Sequence, residues 1–345
     1  MGGNALDTKT ERASPHHYLN VFAQVQRRLK SEWPEAITYL PRKHHYKQDH
    51  GDLDLLVRRD TVDFSREWVK DTFGVDEIHV NDGVWTFAVE LPVPVSDANE
   101  TSVLQVDLVT KRKEHWEMSK TFLDQSGFGN LAGKLARHLR YKWGYQGLRM
   151  PVYRNPDGER NVKYGEYVLT RDPREALEFL GFDYDRFQEG FFDLSEMFEY
   201  VINSEFFTKE AFRAENLTAD QKQRDRKRPV WAQFQSYIEH VEDNEYERPT
   251  QEETIERAKE AFPYCDLHDQ LPLDRERVEL REKASDIFNG RDVIERFGIK
   301  GKELGEKLSL FYDEFKTDRA RYSWIVRNGR EAALKLFAEA NDLDK

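Results

Sequence analysis

Two short apolar runs carry acids where a strand core would be expected. His50–Val57 reads HGDLDLLV and Ser102–Val109 reads SVLQVDLV. Side chains of an extended strand alternate between faces. Asp52 and Asp54 therefore point one way, while Leu53 and Leu55 point into a core. Their Cα atoms would stand roughly 6.6 Å apart, at about 3.3 Å per residue. In the second run Leu104, Val106 and Leu108 share one face, and Gln105 and Asp107 share the other. An unpaired buried carboxylate is costly, so Asp107 needs a reason to be there. If the two runs are neighbouring strands, three acids meet on one polar face. The intervening chain has room for one helix and a hairpin.

Carboxylates so placed can converge on divalent cations. Two-metal phosphoryl chemistry needs ions about 3.5–4 Å apart and usually a third carboxylate. An EF-hand does not explain the motif: DHGDLDLL lacks the central glycine and puts leucines where oxygen ligands belong. His44, His45 and His50 are read as loop histidines and given no metal role.

The surrounding pattern predicts a small α/β sheet domain ending near Arg112. Leu19, Phe22, Ala23, Val25 and Leu29 have the spacing of an amphipathic helix over roughly 18–30. AITYL, between Pro34 and Pro41, is a connector or short strand. SREWVKDTF has helical spacing and ends at Gly74. IHV, VWTFAVEL and SVLQVDLV read as strands, separated by Asn81-Asp82-Gly83 and by the turn-rich VSDANETS.

From Gly129 the pattern turns helical, with Leu131, Leu135, Leu139 and Trp143 recurring every four residues. MPVYRNPDGERNVKYGEYVL then suggests a hairpin about Asn-Pro-Asp-Gly. Beyond Asp172 the chain reads as helices on short loops, with a boundary at Lys222–Pro229 and an acidic helical stretch over Glu242–Asp286. No internal repeat is visible. The expected fold class is α+β: a small mixed sheet with flanking helices, followed by a mostly helical C-terminal body. Three regions are expected, 1–125, 126–220 and 221–345.

At 345 residues, 38% hydrophobic and 13% aromatic, the chain has material for more than one core. It has no apolar run long enough for a membrane span. MGGNALDTKT lacks the apolar core of a signal peptide, and Leu6 stands where a myristoylation motif wants Ser or Thr. Cys265 is the single cysteine, which excludes an internal disulfide and a cysteine-based zinc site. A cytoplasmic protein with no membrane partner is expected. The net charge of −12 argues against a general nucleic-acid coat. Charge is uneven, however: Lys134–Lys163 holds eight Lys/Arg and two Asp/Glu. A second basic run, KQRDRKR, spans Lys222–Arg228, and either could meet phosphate or simply face solvent.

Gly51-Asp52-x-Asp54 followed by apolar residues, with Asp107 inside a second apolar strand, resembles the polymerase β-like nucleotidyltransferase superfamily. GDLDLLV is most similar to the form in family X DNA polymerases, and the resemblance covers roughly 18–112. It implies an enzyme that uses Mg²⁺ or Mn²⁺ to transfer a nucleotidyl group from a nucleoside triphosphate, with ATP among the possible donors. By that resemblance Asp52 and Asp54 hold the nucleotide-associated metal, and Asp107 completes a second site and helps activate the attacking hydroxyl. The superfamily usually places a Gly-Ser pair shortly before the first aspartate to hold the triphosphate. Here Pro41-Arg42 stands in that place, in LPRKHHYKQDHGD. Gly51, Arg42, Lys43 and Lys47, with His44 nearby, become the expected nucleotide-binding residues. An altered triphosphate site, and with it an inactive nucleotide- or RNA-binding descendant, is the alternative.

Two later segments add to this. LTRDPREALEFLGFDYDRF resembles a short helix and Leu-Gly turn in the later part of family X polymerases. FNGRDVIERFGIKGKELGEKL resembles a motif of CCA-adding tRNA nucleotidyltransferases and related poly(A) polymerases, through Gly290, Asp292, Gly298, Gly301 and Gly305. Gly298 and Gly301 would end one helix and let the next begin, exposing backbone N–H groups. In GNLAGKLARHLRYKWGYQGL the leucines take one helical face; Lys134, Arg137 and Tyr141, with Arg140 near, line another and could contact phosphate and stack a base. The resemblance implies a nucleic-acid 3′ end, tRNA or another RNA or DNA, as acceptor. A protein or small-molecule acceptor stays open, as does a plain solvated helix.

Overall fold

A computed structural model describes residues 5–91, 102–157, 161–213, 219–226, 228–244 and 246–343. It divides into two compact units. One comprises Met1–Pro151 with Tyr167–Cys265; the other comprises Val152–Glu166 with Asp266–Lys345. This partition differs from boundaries at 126 and 221. The reason at 221 is local: Lys222–Arg226 lie in a helix whose Asp225 is buried, so the basic run is not a linker.

In the first unit, α1 (Pro15–Glu32) is started by Ser14, whose hydroxyl accepts from the His17 N–H, with proline at its first position. Then come β1 (Thr38–Tyr39), β2 (Asp52–Arg58), α2 (Arg66–Phe73), β3 (His79–Asn81), β4 (Val84–Glu90) and β5 (Val103–Lys111). These are the predicted elements in the predicted order. The turn between β3 and β4 has Asp82 at φ 46° and Gly83 at φ 75°, two consecutive left-handed residues as a tight hairpin requires. VSDANETS lies almost wholly outside the described residues.

The five strands form a mixed sheet in the order β1-β2-β5-β4-β3. β2 and β5 are parallel; the other pairings are antiparallel. Tyr18, Val21, Val25 and Leu29 of α1 share a buried core with Leu53, Leu55 and Val57 of β2 and Leu104, Val106 and Leu108 of β5. The alternation thus sends every even-numbered acid of β2, and Gln105 and Asp107 of β5, to the opposite face.

After α3 (Trp116–Leu123) the chain enters α4 (Phe128–His138). The helix ends sooner than the Leu131-to-Trp143 spacing predicts. Arg140 takes φ 66° and turns the chain, so Trp143 lies on strand β6 (Lys142–Gly144). β7 (Gly147–Tyr153) and β8 (Lys163–Thr170) complete a three-stranded sheet in the order β6-β7-β8. This is the expected hairpin, with Asn155–Asp157 in its bend and Gly158 outside the described residues. α5 (Pro173–Phe179), α6 (Tyr184–Glu189), α7 (Leu194–Ile202), α8 (Ala219–Arg226), α9 (Pro229–Glu239) and α10 (Gln251–Ala261) follow.

The second unit adds α11 (Leu267–Ile287), α12 (Gly290–Phe297), α13 (Gly301–Asp313) and α14 (Asp318–Ala340). Their core gathers Phe288, Val293, Phe311, Ile325, Leu334 and Phe337. Gly298 (φ 73°) closes α12 and Gly301 (φ 63°) opens α13, the predicted helix-to-helix turn. Asp292 has a structural partner set: it accepts from the Asn289 N–H at 2.7 Å, closing a capping box, and pairs with Arg330 at 2.6 Å. No helix among the described residues is long and apolar enough to cross a membrane. The fold is α+β, a five-stranded mixed sheet with a helical C-terminal body.

Candidate metal centre

The parallel ladder pairs Asp54 with Asp107 and Asp52 with Gln105. One carboxylate oxygen from each of Asp52, Asp54 and Asp107 lies within 4.8 Å of the other two. Like charges at facing strand positions repel, which a bound cation or bound protons would relieve. Burial pushes the Asp52 carboxyl well above its ordinary range, and the Asp54 charge adds to the effect. Burial likewise pushes Asp107 up to about 7, although hydrogen bonds from Thr86 and Gln105 oppose the shift. Gly51 is buried immediately before β2.

Neighbouring strands hold Asp107 in place. Thr86 Oγ1, on β4, donates to Asp107 Oδ1 at 2.7 Å. Gln105 Nε2 donates to both Asp107 oxygens at 3.1 Å, while Gln105 Oε1 accepts from the Ala5 N–H. Thr86 was not singled out by sequence reading. Its signal was there: a polar β-branched residue on the strand that pairs with Asp107.

The segment before β2 brings two cations. Lys43 Nζ stands 3.4 Å from Asp54 Oδ2. The Lys47 ammonium makes no ion pair or hydrogen bond with any described residue. Burial, then the neighbouring Lys43 charge, lowers Lys47 to about 8, with Asp52 and Asp54 pulling the other way. Arg42 is turned elsewhere. Its Nε pairs with Asp124 Oδ2 at 2.8 Å, its backbone N–H donates to Asp124 Oδ1, and Nη1 donates to the Gln188 carbonyl. Asp124, itself buried, also accepts from the Tyr39 hydroxyl. A buried carboxylate needs such partners, so Arg42 serves the scaffold rather than standing free for phosphate.

The expected basic stripe on α4 is not a stripe. Lys134 is buried, its ammonium 2.5 Å from Asp225 Oδ2 and 4.1 Å from the centre of the Trp231 ring. Tyr141 is buried, and its hydroxyl donates to the Thr254 carbonyl at 3.1 Å. Arg140 Nε donates to the Pro249 carbonyl at 2.6 Å. Arg137 is the exposed one of the four. The leucine face is core, as predicted, but α8, α9 and α10 cover the other face too.

Tyr18 was read only as the start of α1. Its ring stacks on His50 with centroids 3.9 Å apart, and its buried hydroxyl has no partner among the described residues. Burial and the charges of Asp54 and Asp52 raise its pKa. An unpartnered buried hydroxyl costs about 1–3 kcal/mol. Tyr18→Phe should therefore leave the melting temperature of the metal-free protein unchanged or raise it; a fall of several degrees in a thermal melt would contradict this.

Three carboxylates with this separation form a hard oxygen donor set of the kind that suits Mg²⁺ or Mn²⁺. No protein-family model matches the chain, and no match to a curated protein was found.

Proposed function

We propose that the chain is a metal-dependent nucleotidyltransferase. It moves a nucleoside monophosphate from a nucleoside triphosphate to an acceptor hydroxyl and releases pyrophosphate. The observation that carries this reading is the meeting of the Asp52, Asp54 and Asp107 carboxylates within 4.8 Å on adjacent parallel strands. Bound divalent cation would offset charge developing on the transferred phosphoryl group and make the attacking hydroxyl more acidic. Asp52 and Asp54 hold the nucleotide side of the site. Asp107, fixed by Thr86 and Gln105, helps activate the hydroxyl. Lys43 and Lys47 put positive charge beside these carboxylates, which would offset the charge of the leaving pyrophosphate.

The acceptor in this reading is the 3′ end of a nucleic acid such as tRNA, supported by the glycine-punctuated turn at Gly298–Gly301. A second acceptor class, a protein or small-molecule hydroxyl, is favoured by the burial of Lys134 and Tyr141 and by the net charge of −12. The engagement of Arg42 with Asp124 favours a third reading, a binding protein without turnover.

The test is direct. Purified protein is incubated with Mg²⁺ or Mn²⁺, each labelled nucleoside triphosphate, and either total tRNA, single-stranded or gapped DNA, or a cell protein extract. Label transferred to one acceptor, with pyrophosphate released, is the expected result. Absence of transfer to all of them, with metal-dependent ATP binding intact by calorimetry, would replace this reading with the third.

A further inference from the structure

The turn that supplies Lys43 and Lys47 also carries Tyr46, which is 62% exposed. Phe192 is 59% exposed, and its ring lies 5.7 Å from that of Tyr46 at 36°. Large aromatics left in water are rare enough to ask about when they cluster. This pair is also held in place. The His45 N–H donates to the Phe191 carbonyl at 3.2 Å and the Tyr46 N–H to the Phe192 carbonyl at 2.9 Å, tying the turn to the residues just before α7. The rings are therefore presented on fixed backbone, not on a dangling loop.

The next residue along the chain is Lys47, a mostly buried cation that the Asp52 and Asp54 charges attract, although its ammonium makes no direct ion pair or hydrogen bond with a described residue. A divalent cation held by those two carboxylates would take up the charge that now attracts Lys47, and a desolvated ammonium is unfavourable alone, so Lys47 would then meet an anion that arrives with the ligand. Phosphate chemistry at Lys47 and open aromatic faces at the adjacent Tyr46 belong to one kind of molecule, a nucleotide. We infer that Tyr46 and Phe192 form a stacking platform for the base of the nucleoside triphosphate whose phosphates meet Lys43 and Lys47; this rests on the carboxylate site being a nucleotide site.

The geometry sets the mode. Two rings 5.7 Å apart leave no room for a base between them, since stacked rings on both sides would need about 7 Å centre to centre, twice a van der Waals contact of about 3.5 Å. The base lies on an outer face of the pair. Stacking on two aromatic rings does not depend on the base edge, and every base has a π-face. The site is thus expected to accept all four bases, with purines held more tightly than pyrimidines because they overlap more ring.

The experiment is calorimetric titration of the full chain in Mg²⁺ with ATP, CTP and inorganic triphosphate. Proteins are wild type, Tyr46→Ala, Phe192→Ala and Tyr46→Phe. Both alanine variants should lose about tenfold or more in ATP affinity, with a smaller loss for CTP. Tyr46→Phe should keep wild-type ATP affinity, and all four proteins should bind inorganic triphosphate equally. Unchanged ATP affinity in both alanine variants, with triphosphate still bound, would overturn the platform and leave the carboxylate site standing. Equal loss of ATP and triphosphate would also overturn it, by showing that the rings only hold the Lys47 turn. A wild type that binds neither ligand would refute the nucleotide site itself.

Discussion

Replacing Asp52 and Asp54 together by asparagine is expected to do two opposite things: remove transfer and stabilise the metal-free protein. The loss of transfer should be at least about a thousand-fold, since removing even one preorganised charge-stabilising group costs roughly 10²–10³ in rate. The gain in stability follows from linkage. Asp107 is pushed up from 3.8 to about 7 and Asp52 is pushed up as well, both chiefly by burial. A carboxyl whose folded-state pKa is raised supports the fold most fully below its unfolded value and loses that support as pH rises through the folded value. Asp107, raised chiefly by burial, keeps that cost of ionisation in both proteins; the double variant removes the cost of ionising Asp52 and the repulsion that Asp54 and Asp52 exert on Asp107. At pH 8, above the raised values of Asp52 and Asp107, both of these carboxyls are charged and stand beside Asp54.

Asparagine keeps the shape and deletes the charge, so the double variant should melt several degrees above wild type at pH 8 without metal. The difference should shrink by pH 5, where wild type is partly protonated. Adding Mn²⁺ should reverse the order at pH 8, because a cation that binds only the native state raises its stability by mass action and the variant has lost two of three ligands. Thermal melts of both proteins at pH 5 and pH 8, with and without Mn²⁺, check every sign. Asp54 also pairs with Lys43 and both acids attract Lys47, so a variant that melts lower than wild type at pH 8 without metal would mean that these lysine pairings outweigh the carboxylate repulsion, and the expected gain would be refuted.

The second large effect is at Lys134. Lys134→Met is expected to destabilise the first unit by about 3–5 kcal/mol, because it leaves Asp225 as a buried charge without its partner. The side chains of this pair are 3% and 4% exposed. Asn130 Nδ2, at 3.3 Å from Asp225 Oδ1, is too weak a donor to replace an ammonium. Pairing the change with Asp225→Leu should recover most of the loss, since two apolar groups can replace a buried ion pair at little cost. Chemical denaturation of the single and double variants measures both. If Lys134 were instead an exposed nucleic-acid contact, the single change would stay within about 0.5 kcal/mol of wild type, and a result of that size would restore the basic stripe.

These two sites show different limits of sequence reading. The aspartates were legible because strand side chains have a period of two. That rule forces Asp52 and Asp54 onto one face and Gln105 and Asp107 onto one face, whatever the rest of the chain does. Only the adjacency of the two strands was a guess, and the parallel register of β2 and β5 supplies it. Lys134 was misassigned for a reason of the same kind. Helical periodicity separates two faces of α4, but it cannot say that a segment some ninety residues later packs over the polar one. Arg42 failed likewise: its carboxylate partner lies 82 residues on. Trp143 was placed on a helix because a four-residue spacing continued past a left-handed turn at Arg140, a conformation that residue type rarely adopts.

What the sequence determined by itself is local: which residues are helical or extended, where Asn81-Asp82-Gly83, Gly74, Gly298 and Gly301 break them, and which side chains share a face. Those follow from backbone sterics and repeat geometry within a few residues. What only the tertiary structure decided is which charged groups have partners. It paired Lys134 with Asp225 and Arg42 with Asp124, closed three aspartates to within 4.8 Å, and put the mostly buried Lys47 within their field. Desolvation and Coulomb energies depend on distances through space, and the chain does not write those distances in the order of its residues.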